Sequence, residues 1–259
     1  MIRAALAELW RRDRALAVVG WLHVALFAGL LVVAPFDSRE ILGINPWIKP
    51  LKFAFSVAIY VWTLAWFLGE MEGPRWGKRA VSWGVSLAML VEIVCVVLQS
   101  ARGTTSHFNF ATAFDGQVFS LMGNMIALNT VLLLLFFLLT FLRLRHLPPA
   151  YAWGIRLGTL GLLLGSAEGA VMIANGAHSV GLADGGPGLP LVNWSTVGGD
   201  LRLAHLIGLH AFQLLPLAGW WIARRGRRLV TLFVVATVYF ALGAALFLQA
   251  LRGRPLIGA

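Results

Sequence analysis

Seven apolar runs, near 15–34, 51–69, 80–99, 118–142, 153–174, 201–221 and 229–250, constrain this chain more than any other feature. Each is long enough to cross about 30 Å of hydrocarbon at about 1.5 Å per residue. Within hydrocarbon a helix satisfies its backbone amides and carbonyls in its own segment, so runs of this length read as helices. The expected fold is all-α: a polytopic membrane protein, one seven-helix transmembrane domain over 1–259. With 59% apolar and 12% charged residues, a large aqueous domain is excluded. The single cysteine, Cys95, lies inside an apolar run and can form neither an internal disulfide nor a cysteine-based metal site.

The formal charge of +10 follows a topological pattern that argues against nucleic-acid binding. Fourteen of the 21 Lys and Arg residues fall in the amino terminus, 70–80, 143–156 and 222–228, with Arg224, Arg225, Arg227 and Arg228 the densest group. The amino terminus is therefore expected to be cytoplasmic and the carboxyl terminus extracytoplasmic, in a bacterial-type inner or plasma membrane. Trp76, Trp83, Trp153, Trp220 and Trp221 fit interface anchors at the cytoplasmic ends. The first run is too long for a signal-peptide core, and Pro35 stands where cleavage would be needed, so it reads as a retained helix. Before it, 1–14 reads as an interfacial segment: Ile2, Leu6 and Leu9 recur at helical spacing opposite Arg3 and Arg11. No repeat of transporter type is visible, and membrane lipids are the expected partners.

The cytoplasmic loops are short. The opposite side carries two long connections, 100–117 and 175–200, plus 35–50, and long loops tend to bind ligands or act as lids. Ionisable residues also fall inside the expected bilayer, where facing lipid would cost several kcal/mol, so they should face one another or a hydrated cavity. Glu92 lies about 10 Å below the outer end of the third run; Glu168, His205 and Asn124 fall in a similar layer. His23, Asn129, His210 and Gln213 form a deeper one. Ala88, Glu92, Cys95, Gln99 and Arg102 share a helical face. The expectation is one outward-facing pocket. In the sober alternative, Glu92 and Glu168 are buried partners of Arg102 or Arg202.

The rim is basic. Lys49 and Lys52 flank Pro50, and Arg102 with His107 and Arg202 with His205 add cations, suited to an anionic group or to headgroup anchoring. The second run's inward face is expected to continue through Ser56, Tyr60 and Thr63. Gly161, Gly165 and Gly169 form a ridge that favours close helix packing, with room for a flat cofactor as the alternative. The stretch 178–200 is too glycine-rich for a strand and reads as a turn-rich cap, in which Asp184 and Asp200 hold a cation or cap turns and the next helix. Phe108, Phe110 and Phe114 suit a lateral entrance.

Three functions fit. The first is an integral-membrane enzyme acting on a lipidic or anionic amphiphilic substrate, with Glu92, Glu168, His205 and His210 as acids and bases and with Lys49, Lys52, Arg102, His107, Asn124 and Arg202 holding substrate. A divalent metal on His205, Glu92 and Glu168 would assist. The second is a redox protein with b-type haem between His23 and His210, or one linked to quinone. The third is a proton-coupled transporter or sensor using the same pocket.

Overall fold

The computed structural model describes residues 2–258. Its helices are α1 (Ile2–Arg12), α2 (Arg14–Val33, continued by a 3-10 turn, Ala34–Phe36), α3 (Ile48–Glu70), α4 (Arg75–Ala101), α5 (Ala113–Arg143), α6 (Pro149–Asn175), α7 (Leu201–Arg224) and α8 (Leu229–Leu251). The last seven are long and apolar enough to cross a membrane, and they fall on the seven expected runs. The chain is an all-α protein of multi-pass type. At 31 residues α5 is the longest, about 46 Å, which exceeds the hydrocarbon thickness and calls for tilt or protrusion. Contacts divide the chain into two compact units, Met1–Phe136 and Phe137–Ala259.

In the first unit, Asp13 separates α1 from α2. Its backbone is extended and its Oδ1 accepts from the Leu16 amide at 3.0 Å and the Ser82 hydroxyl at 2.8 Å, a helix cap that also reaches α4. Arg12 then ties α1 to α3. Its guanidinium donates to the Trp66 carbonyl and to Glu70, both at 2.8 Å, and lies 4.1 Å from the centre of the Trp66 ring. Leu9 is buried, so this turn of α1 packs against protein. The side chains of Ile2 and Arg3, which the expected amphipathic face also invoked, lie outside the described residues.

In the second unit, α6 and α7 meet backbone to backbone. A Cβ on Gly208 would stand 2.6 Å from the Gly165 Cα, and one on Gly158 would stand 2.7 Å from the Ala211 carbonyl oxygen. Small residues allow this approach, and the dispersion contacts it creates hold helices together where lipid removes the hydrophobic drive. The ridge begins earlier than expected, at Gly154, and its slot is filled by α7 itself, including Pro216. A flat cofactor has no room there. Gly169 lies beyond the packed part and faces the His205 ring.

α6 ends at Gly176, in the left-handed region at φ 69°, which a glycine adopts without strain. The following loop departs from the expectation of no strand: β1 (Ser179–Val180) pairs antiparallel with β2 (Gly199–Asp200) at its base. Glycine in β2 is a packing requirement, because a Cβ on Gly199 would stand 1.9 Å from the Ala250 carbonyl oxygen of α8. On α8, Val230, Val234, Val238 and Leu242 are each more than half exposed, an apolar stripe at four-residue spacing of the kind a membrane-spanning helix presents to hydrocarbon.

Candidate functional site

The first unit brings three of the expected residues together. Glu92 sits on α4 with its side chain 3% exposed, in a buried row with Ala88, Cys95 and Gln99. The loop after α4 returns His107 toward it, with the imidazole Nε2 4.0 Å from Glu92 Oε1. That separation is too long for a hydrogen bond and suits one bridging water. Lys49, in the first turn of α3, is 3.1 Å from His107 Nδ1. An ammonium can only donate, so Nδ1 accepts and the ring proton sits on Nε2, aimed at the glutamate. Ser106 Oγ also lies 3.1 Å from Nδ1. Glu92 Oε2 is buried and meets no hydrogen-bond partner in the protein.

Aromatic rings fix the imidazole. Phe53, Phe108 and Phe119 have centroids 6.0, 6.1 and 6.0 Å from it. Phe108 and Phe110 each pack on Phe119 at 5.5 Å, while Phe114 lies under the Arg102 guanidinium. Phe53 and Phe119 escaped sequence reasoning because each lies in a long apolar run where phenylalanine is ordinary.

The loop is held by Asp115, in the first turn of α5, another residue the sequence did not single out. Asp115 accepts from Gln99 Nε2 at 2.9 Å, from the Thr112 hydroxyl at 2.7 Å and from Arg102, which also donates to the Gln99 amide oxygen. Arg102 is therefore the partner of Asp115 and not of Glu92. Asp115→Ala is expected to raise amide exchange across 103–111 at least about tenfold, because it removes a buried hub and leaves Arg102 without its counter-charge. Unchanged exchange there would show that the loop holds its shape without this hub.

The preceding loop is tied in the same manner. Arg39 chelates Asp37, holding its carboxyl well below the usual carboxylate range, and reaches the Ala101 carbonyl at 2.9 Å. Asn45 donates to the carbonyls of Ala34 and Asp37.

Other expected residues lie elsewhere in this unit. Lys52 and Asn124 are exposed. Asn129 accepts from the Tyr60 hydroxyl at 2.8 Å, Thr63 bonds within its own helix to Ile59, and Ser56 is exposed, so the expected polar face of α3 reduces to Tyr60. His23 is 1% exposed and donates from Nδ1 to the Val19 carbonyl at 2.8 Å.

In the second unit, His205 donates from Nδ1 to the Gly165 carbonyl at 2.7 Å, across the α6–α7 contact, which leaves Nε2 as its basic atom. Glu168 Oε2 is buried without a protein partner, and His210 is half-buried on α7. Arg202 pairs with Asp200 and donates to the Asn193 carbonyl, so it is not the partner of Glu168. Asp200 also caps α7 through the Arg202 amide at 3.0 Å and accepts from the Ser195 amide at 2.8 Å, in agreement with the capping expectation. Both arginines expected to capture an anion thus have a carboxylate partner, Asp115 for Arg102 and Asp200 for Arg202.

Asp184 is a loop staple. Its carboxylate lies 2.6 Å from His178 Nδ1 and accepts from the amides of His178 at 3.1 Å and Ser179 at 2.9 Å. Partial burial pushes this carboxyl up, but the His178 contacts and the two amides outweigh it and leave the group well below the usual carboxylate range. A lowered folded pKa means that the staple is fully present above the unfolded value near 4 and is lost as pH falls through the folded one. Protection of the 178–184 amides, corrected for intrinsic exchange, should therefore fall only in strong acid. Asp184→Asn should exchange faster at neutral pH and lose that acid step, and a persisting acid step in the variant would assign it to another group.

Among the described residues, no three His, Cys, Asp or Glu side chains gather closely enough to hold a metal ion. The set His205, Glu92 and Glu168 gains no support from that. Of the haem pair, His23 belongs to the first unit and His210 to the second. No family model, curated protein or solved structure matches the chain.

Proposed function

We propose that this chain is an integral-membrane enzyme performing acid–base chemistry on an amphiphilic, anionic substrate, centred on Glu92, His107 and Lys49. The supporting observation is the buried Glu92 carboxyl, with Oε1 facing a histidine of defined tautomer and Oε2 meeting no protein group. Oε2 is the atom offered to substrate, as proton acceptor or donor. The His107 Nε2–H points at Glu92 and favours its carboxylate form, while Lys49 holds the tautomer and adds the positive charge that favours an anionic headgroup. In the second unit, Glu168 with His205 and His210 would act in the same chemical sense, with His205 Nε2 as base. The membrane is read as a bacterial-type inner or plasma membrane, and the distribution of basic residues supports a cytoplasmic amino terminus and an extracytoplasmic carboxyl terminus.

The test is reconstitution in vesicles of polar lipid extract, with lipid species followed over time by mass spectrometry. The wild type should consume an anionic lipid and Glu92→Gln should not. If the wild type leaves every lipid unchanged, the enzymatic reading is wrong. The second reading, a proton-coupled transporter or sensor, is favoured by His107 being 23% exposed while Glu92 is 3% exposed, a step from a loop to a buried acid. It predicts pH-dependent solute flux or conformational change with no lipid product.

A further inference from the structure

We propose that a cleft at the junction of α1, α2, α3 and α4, about 20 Å along α4 from Glu92, binds a phosphate-bearing anion, the headgroup of an anionic lipid. Its walls are Arg12, Asp13, Leu68, Arg75, Lys78 and Arg79, around a cavity of about 150 Å³. Four cations and one acid line it.

Arg12 and Asp13 are tied into the surrounding helices. Arg12 is fixed by Glu8, Glu70 and the Trp66 carbonyl, and Asp13 Oδ1 by the Leu16 amide and Ser82. They form a rigid back wall. Arg75, Lys78 and Arg79 form the front, all within the first five residues of α4, a helix with no acid in its first turn.

That arrangement runs against the usual rule. The amino-terminal end of a helix carries partial positive charge and favours acids, so three cations there repel both the dipole and one another. An anion seated among them relieves both repulsions, and phosphate matches two guanidinium forks and an ammonium. Lys78 Nζ donates to the Met71 carbonyl at 2.9 Å, which fixes its ammonium at the cleft wall. Leu68, 2% exposed, closes the floor of the cleft. Trp76, 62% exposed in the same turn, is the residue type that settles at the headgroup level of a bilayer. Basic pockets between membrane helices are suited to anionic headgroups on the same physical grounds.

The experiment measures lipid retention by native mass spectrometry on the full chain in detergent, with phosphatidylglycerol, phosphatidylcholine and inorganic phosphate as probes. The wild type should retain phosphatidylglycerol over phosphatidylcholine. The double variant R75Q/R79Q, at two exposed positions, should bind phosphatidylglycerol about tenfold more weakly with an unchanged melting temperature. R224Q/R228Q, which removes two exposed arginines from the densest basic group, should leave retention intact. Loss of phosphatidylglycerol in R75Q/R79Q alone identifies the headgroup. Binding of inorganic phosphate that is lost in the same variant, with no lipid preference, identifies a free-phosphate site in the same cleft. Equal retention in R75Q/R79Q and the wild type, or an equal fall in R224Q/R228Q, overturns the proposal.

Discussion

Gly208→Leu is expected to prevent assembly of the second unit. The Cβ alone would stand 2.6 Å from the Gly165 Cα and 2.8 Å from its nitrogen, and backbone on a packed helix has no rotamer by which to yield. Overpacking of a well-filled interior commonly costs about 1–3 kcal/mol, and a clash with backbone lies at the upper end or beyond. The penalty is heavier here because α6 and α7 are held by close contact, which lipid does not replace with a hydrophobic drive. Gly208→Ala should therefore lower the melting temperature measurably, and Gly208→Leu should abolish a cooperative transition in detergent. Gly29→Leu, where an added Cβ meets nothing within 4 Å, is the matched control and should melt like the wild type. If Gly208→Leu also melts like the wild type, the α6–α7 ridge does not hold this unit together.

Glu92→Gln should produce the largest functional effect, a fall of about a hundredfold or more in turnover, the usual contribution of a positioned acid or base. Glutamine keeps the volume and one carbonyl oxygen, so packing against Cys95 and Gln99 is preserved and folding should not fail. What disappears is the titratable carboxyl opposite His107 Nε2. His107→Gln should reduce turnover less, because the glutamate itself still titrates, and Lys49→Met should act through His107 by releasing its Nδ1 from the ammonium. A pH–rate profile separates these roles. Loss of one limb in Lys49→Met with the other retained indicates positioning, whereas uniform loss across pH would indicate only a damaged fold. Turnover of Glu92→Gln equal to wild type would remove Glu92 from the chemistry.

The seven spans were legible because the requirement behind them is one-dimensional. A helix that crosses hydrocarbon must be apolar over a fixed length, and local composition reports that directly. The buried face of α4 was legible too, since Ala88, Glu92, Cys95 and Gln99 follow the helical period, and the glycine pattern of α6 announced close packing before its partner was known. Sequence spacing was silent on what loops do in three dimensions. It did not pair Arg102 with Asp115, place His107 over Glu92, or fix the histidine tautomer through Lys49, because each contact joins segments whose separation along the chain carries no period. The arginines looked like an anion-capturing rim for the same reason: charge is visible in a sequence, but its neutralisation by a neighbouring carboxylate is a property of the folded loop. Hydrophobic period and length therefore determined the scaffold. Only tertiary structure decided which buried polar groups found partners and which, like Glu92 Oε2, meet no protein hydrogen-bond partner.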